Sequence, residues 1–329
     1  MKKYDVIGDI HGHAVELGSL LEKLGYRRNV AGTYMPPEAD RITVFTGDYI
    51  DRGGENFEVI RTVRDMVSAG HAHAIMGNHD LNAVLFHTLH PDSETGEMKP
   101  LRKHDLYHTR LHQTFIDELE RDPESGEENL GWLKSLPICL ERDGLRFVHA
   151  MWDQAALDHL RADGLLNADG TLHPDHWHEL AMKGTPGCDA VDLLTKGQKI
   201  DLPPGVEFIN ADGHTRGEAR LKWWADAGDA GLMLYQAVLG VPAEAMPDIP
   251  APEVVKDRMR QLQDTRGTVV FFGHYWMSGE YPTVETERAI CLDQSVAKDG
   301  YLAAATVTVE DGKVLEMSFH SVKARPAAR

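Results

Sequence analysis

Five short apolar runs in this chain end abruptly in a small residue followed by Asp, Asn or His, and this limits the fold more than any other feature. Residues 4–7 stop at Gly8-Asp9, 42–45 at Thr46-Gly47-Asp48, and 72–76 at Gly77-Asn78-His79. Residues 145–148 stop at His149-Ala150, and 268–272 at Gly273-His274. Runs of this length, rich in Val, Ile and Phe, read as buried strands. Helical spacing fills the gaps between them. Residues 14–24 place leucines at 17, 20, 21 and 24, and 57–69 place apolar side chains at 57, 59, 60, 63, 66 and 67. Strand and helix in alternation give βαβ units, hence an α/β chain whose sheet is covered on both faces. Ligands of such sheets sit beyond the carboxyl ends of the strands, where the Asp, Asn and His residues fall.

Two stretches break the rhythm. Residues from about 87 to 136 are polar, charged and helical in pattern. Those from about 151 to 266 mix helical pieces (154–161, 176–182, 254–263) with loops punctuated by Pro203-Pro204 and the prolines of 242–252. Both read as insertions that roof a site, within one domain spanning 1–329. The tail returns to strands at 289–292, 301–309 and 313–319, the last two joined by a hairpin signal, Asp311-Gly312.

Charge narrows the function. With 34 Lys+Arg against 52 Asp+Glu the net charge is -18, which argues against nucleic acid or an acidic membrane surface as partner. Cys139, Cys188 and Cys291 are scattered, with no CxxC pair or disulfide framework, so a reducing compartment and a cytoplasmic protein are expected.

The strand ends carry the chemistry. Gly8-Asp9-Ile10-His11-Gly12 delivers Asp9 and His11 two residues apart, a pair suited to a borderline divalent metal such as Mn, Fe, Co, Ni or Zn. In Gly47-Asp48-Tyr49-Ile50-Asp51-Arg52-Gly53, Asp48 has two oxygens with which to bridge ions, and Arg52 offers a planar fork for phosphate. In Gly77-Asn78-His79-Asp80, Asn78 offers a neutral carbonyl oxygen, and His79 can lean over the site without joining it. His149 and His274 each offer an imidazole nitrogen. Any one motif alone could be a turn or a core histidine; five strand ends with ligand types in one chain are not.

GDIHG, GDYIDRG and GNHD, followed by a strand-end His and a later Gly-His, resemble the phosphoprotein-phosphatase branch of the calcineurin-like metallophosphoesterases. Bacterial relatives in that branch include protein phosphatases and diadenosine tetraphosphate hydrolases. The resemblance implies a two-sheet β-sandwich flanked by helices and two bound divalent ions, Mn first among them. It implies Asp9 and His11 on one ion, Asn78, His149 and His274 on the other, and Asp48 between. Two departures stand out: the Glu that follows the family's motif His is Asp80 here, and Tyr275-Trp276 follows the Gly-His.

Two ions about 3.5–4 Å apart would generate a hydroxide near neutral pH to attack phosphorus in line. His79 would then be the general acid, with Asp51 fixing its tautomer. Arg52 would hold phosphate oxygens, aided by a second arginine, for which Arg216 in His214-Thr215-Arg216-Gly217 is the candidate and Arg220 nearly as good. The expected substrate is a phosphomonoester or phosphoprotein, with a dinucleoside polyphosphate as the alternative and a non-catalytic scaffold third. Further features have plainer readings. His104, His108 and His112, spaced by four, suggest a solvated helix face before a third metal site. Trp223-Trp224 suggests core packing before a nucleobase clamp.

Overall fold

The computed structural model describes residues 1–92, 94–209, 215–228, 231–263 and 268–326. Its centre is two sheets packed face to face. The first sheet holds β1 (Lys2–Ile7), β2 (Arg41–Phe45) and β3 (Ala72–Ala74), all parallel, as the strand–helix alternation requires. The second holds β4 (Cys139–Arg142), β5 (Leu145–Val148), β6 (Val269–Phe272) and β7 (Ala289–Cys291) in the spatial order β7-β6-β5-β4. The chain then rejoins the first sheet through β8 (Asp293–Gln294), β9 (Tyr301–Glu310) and β10 (Lys313–Lys323), β9 running antiparallel to β1. Asp311 and Gly312 both take positive φ, 49° and 75°, as the two-residue hairpin turn requires.

Side chains alternate along each strand, and that alternation builds the layers. Tyr4, Val6 and Val44 of the first sheet meet Leu145, Phe147, Val269 and Phe271 of the second inside the sandwich. Their neighbours Ile7, Phe45, Val148, Val270 and Phe272 point outward into a larger cluster under the helices. Both faces are therefore buried, and the result is the two-sheet sandwich flanked by helices.

The flanking helices are α1 (Ala14–Lys23), α2 (Asn56–Ser68) and α3 (Asn78–His87). The first inserted stretch contributes a small hairpin, Leu89–Pro91 with Met98–Pro100, and then α4 (Leu106–Leu111), α5 (Gln113–Arg121) and α6 (Pro123–Lys134). The spacing of His104, His108 and His112 predicted one continuous helix; Asp105 caps α4 instead, and His112 falls at the break before α5. The second stretch contributes α7 (Gln154–Ala162), α8 (Pro186–Lys196) and α9 (Glu253–Gln263). The sequence reading passed over α8, although Thr185 as N-cap, Pro186 at its first turn and Gly197 beyond its end mark it. Among the described residues no helix is long and apolar enough to cross a membrane.

Candidate metal centre

The ends of β1, β2, β5 and β6 converge, and two glycines allow the contact. A Cβ on Gly273 would lie 1.8 Å from Asp9 Oδ1, and one on Gly77 would lie 2.2 Å from Asp48 Oδ1. Each carboxylate therefore rests directly on backbone. His11, Asp48 and His274 themselves take left-handed φ of 49°, 53° and 74°. Non-glycine residues held there are strained, and such strain gathers at working sites.

The six predicted metal-binding residues are brought together. Asp48 Oδ1 lies 3.4 Å from His149 Nε2 and Oδ2 lies 3.5 Å from His11 Nε2. Asn78 Oδ1 lies 3.0 Å from His149 Nε2 and 2.6 Å from His274 Nδ1, and Asp9 Oδ2 accepts from the His274 backbone N–H at 2.9 Å. His11 and His149 donate Nδ1–H to the Ile50 and Thr46 carbonyls at 3.0 and 2.8 Å, which turns each Nε2 inward. Two ligand groups result, Asp9–Asp48–His149 and His11–Asp48–His79, with the ligand atoms of each within 4.8 Å of one another. Asp48 is common to both, as a bridging carboxylate would be. Asp9 gathers with His149, and His79 stands by Asp48, its backbone N–H donating to Asp48 Oδ1 at 2.8 Å.

The chemistry of these residues fits divalent cations. Asp9 Oδ1 and His274 Nε2 are buried without a hydrogen-bond partner, a costly state for either. Burial, with the Asp293 carboxylate nearby, pushes the Asp9 carboxyl well above its usual range. Burial works the same way on Asp48, but His149 and His79 outweigh it and hold that carboxyl low. Burial disfavours charge on His149 too, yet Asp48 and Asp9 raise its imidazole to about 10. His11, which burial dominates, falls to about 4 and stays neutral. Carboxylate, amide oxygen and imidazole together are the donor set of Mn, Fe, Co, Ni or Zn.

Asp80, set aside in the sequence as a departure from the family's Glu, proves structural. Its carboxylate accepts from the backbone N–H groups of Gly77, Asp48 and Tyr49 at 2.8, 2.8 and 3.1 Å, locking two motif loops together. The signal was readable, since Asp80 stands at the third position of α3, where a capping carboxylate is expected.

Next to this centre His79 Nδ1 lies 2.6 Å from Asp51 Oδ2, the predicted dyad. Burial alone would depress His79, but Asp48 and Asp51 raise it, while Asp51 is held down to about 2 because hydrogen bonds from His112 and His79 outweigh burial. Arg52 is exposed, with its guanidinium 5.7 Å from the ring of Trp276, which itself stacks on His11 at 5.6 Å. Arg52 thus stands at the rim. Arg216 belongs to the second inserted stretch. It lies exposed on a two-residue strand, Thr215–Arg216, paired with Phe208–Ile209, where its guanidinium keeps its water; His214 lies outside the described residues. Arg220, four residues on, is carried inward by a strand paired on both sides, with Lys199–Asp201 and Val238–Leu239. Burial lowers its guanidinium, and Tyr275, Asp293 and Asp48 oppose that.

Trp223 and Trp224 are fully buried against Phe272 and Tyr275, so the core-packing reading holds. The histidines at 104, 108 and 112 divide: His104 donates to the Phe86 carbonyl, His108 pairs with Asp105, and His112 is buried against Asp51.

The family described as calcineurin-like phosphoesterase matches this sequence over residues 2–275. The chain belongs to that family. This phosphoesterase is 30% identical over 308 residues, 92% of each chain, to the symmetrical bis(5'-nucleosyl)-tetraphosphatase of a Janthinobacterium species. It is 44% identical over 77 residues to the asymmetrical bis(5'-nucleosyl)-tetraphosphatase PrpE of Halalkalibacterium halodurans, a match covering 23% of this chain and only 30% of that protein. Its fold is shared with a protein serine/threonine phosphatase from Saccharomyces cerevisiae, at 12% identity and a TM-score of 0.52 over 99% of this chain and 81% of that one. Dependence on a pair of divalent metals and hydrolysis of phosphoesters follow from the family.

Proposed function

We propose that this phosphoesterase hydrolyses dinucleoside polyphosphates, acting as one cytoplasmic domain with two divalent ions, Mn first among them, held by Asp9, His11, Asp48, Asn78, His149 and His274. The match to the symmetrical tetraphosphatase carries this reading because it extends over 92% of both chains and so runs through the insertions. The 77-residue match is too short to do so. Three free, buried cysteines suit a reducing cytoplasm.

Bound at these residues, the ions would offset phosphoryl charge and activate water for attack. The protein's own side chains then have separate tasks. Arg220 from within and Arg52 at the rim would hold non-bridging phosphate oxygens as charge develops. His79 would give a proton from Nε2 to the leaving oxygen while Asp51 accepts from Nδ1–H and keeps the ring turned.

A phosphomonoester, including a phosphoprotein, is the second reading, and the dyad favours it. An alkoxide is a poor leaving group that needs the proton more than a departing phosphate does. The test is phosphate or nucleotide release by chelator-stripped protein with Mn²⁺ restored, on diadenosine tetraphosphate, p-nitrophenyl phosphate and a phosphoserine peptide. Metal-dependent cleavage of the dinucleotide at much higher kcat/KM than the monoesters is the expected result. The reverse order replaces the first reading with the second; no turnover of any of the three, with both ions bound, overturns both.

A further inference from the structure

Asp51 is gripped from both sides, and the second grip comes from the inserted helices. Its Oδ2 faces His79 Nδ1 at 2.6 Å; its Oδ1 faces His112 Nδ1 at 2.7 Å. A carboxylate only accepts, so both imidazoles donate Nδ1–H to it. His112 is 5% exposed and packs between Phe86 and Phe115, with ring centroids 5.3 and 5.0 Å away. Behind it His87 Nε2 lies 3.2 Å from His112 Nε2, so the far nitrogen of His112 is satisfied as well.

The backbone of the same loop is held by the same insertion. Asp51 N–H donates to Asn56 Oδ1 at 2.8 Å. Glu118 of α5 in turn accepts from the Asn56 N–H, the Asn56 side-chain amide and the Phe57 N–H at 2.8, 2.7 and 2.8 Å. Asp51 and Arg52 need this bracing, since both hold positive φ, 69° and 73°.

We propose that His112 is a positioning residue for proton transfer: by donating to Asp51 Oδ1 it fixes the carboxylate that orients His79. The inference rests on His79 protonating the leaving oxygen. In this chain the insertion is therefore part of the catalytic apparatus, and without His112 the Asp51 carboxylate is free to rotate away from His79.

The experiment compares full-length wild type with His112→Phe, His112→Asn and His79→Asn, all loaded with Mn²⁺, on phenyl phosphate and on 2,4-dinitrophenyl phosphate. Phenoxide needs a proton in order to leave; dinitrophenoxide does not. His112→Phe keeps a ring and loses the donor. It should lower kcat on phenyl phosphate about tenfold or more and change the dinitrophenyl ester less than about twofold, with KM unchanged. His112→Asn, whose amide nitrogen can stand near the Nδ1 position, should recover most of that loss. Equal losses on both esters, or none, overturn the role of His112 provided that His79→Asn is selective for phenyl phosphate. A non-selective His79→Asn removes the proton-donor reading of His79, and this inference with it. A wild-type readout needs neither substrate nor variant. With diamagnetic Zn²⁺ in place of Mn²⁺, ¹⁵N-histidine NMR should show two strongly downfield Nδ1–H protons, from His79 and His112, and a missing His112 signal overturns the proposal.

Discussion

The two inserted stretches attach to the same sandwich with a different balance of forces. Residues 87–136 add to their apolar packing, Phe115 on Phe57 and Trp132 on Tyr49, two buried polar contacts: His112 on Asp51, and Glu118 on the start of α2. Residues 151–266 reach it mainly through apolar surface. Trp223 and Trp224 pack on Phe272 of β6 and on each other, and Trp223 Nε1–H donates to the Ala150 carbonyl. Hydrogen bonds hold direction, whereas apolar burial holds position with little regard to angle. Damage to the first stretch should therefore disturb chemistry more than stability, and damage to the second the reverse, apart from Arg220.

The sharpest test is Trp223→Ala. The side chain is fully buried, and emptying such a site costs about 3–5 kcal/mol. Urea unfolding should record a loss in that range while Mn²⁺ affinity, read by calorimetry, stays near wild type. A loss below about 1 kcal/mol would mean that the second stretch is not anchored by this packing.

How much of this was legible in the sequence follows the same division. The strand ends could be read because a short buried run closed by Gly and a ligand residue is a local pattern. All six predicted metal-binding residues meet at the ends of β1, β2 and β3 and of β5 and β6. The dyad was equally legible, since His79 and Asp51 both lie inside motifs. His112 was not. Its partner is 61 residues away in sequence, and its spacing from His104 and His108 pointed to a helix face that the Asp105 cap interrupts. Arg216 and Arg220 lie in one short polar stretch that does not separate them; the pairing of strands sets Arg216 on an exposed ribbon and Arg220 between two neighbours. Local rules place ligands on strand ends; they are silent where distant segments supply the supporting contacts.

Arg220 is the exception that sharpens the contrast. Arg220→Ala should lower kcat/KM by on the order of 100-fold with little change in urea midpoint, as loss of one charge-stabilising donor does. Arg216→Ala, on its exposed ribbon, should stay within about twofold. Losses within about twofold for both would show that neither guanidinium meets phosphate and that the second stretch is structural throughout.

Glu118→Ala tests whether the first stretch also carries stability. It leaves the Asn56 and Phe57 N–H groups without their buried acceptor, at a cost of about 1–3 kcal/mol. It should lower kcat by slackening the Asp51 backbone, with KM held. A fall in stability with kcat untouched would reduce the stretch to a brace and break the comparison.

The smallest effect is one of pH, and it belongs to the first stretch alone. His87 is depressed to about 4, by burial first and then by His112, His104 and Lys134, with Asp51 opposing. Above pH 6.5 it is neutral in both the folded and the unfolded chain. Between 6.5 and 4 the unfolded chain takes up a proton that the folded one refuses, so the unfolded state binds more protons and stability drops as pH falls. The drop levels off near pH 4, where folded His87 protonates as well. Other groups titrate in that window, so the quantity to follow is the difference between wild type and His87→Leu. The urea midpoint of the variant should fall less between pH 7 and 4.5, and the two curves should run parallel above pH 7. Parallel curves across the whole range would mean that His87 sits in water, and that the polar column behind Asp51 ends at His112.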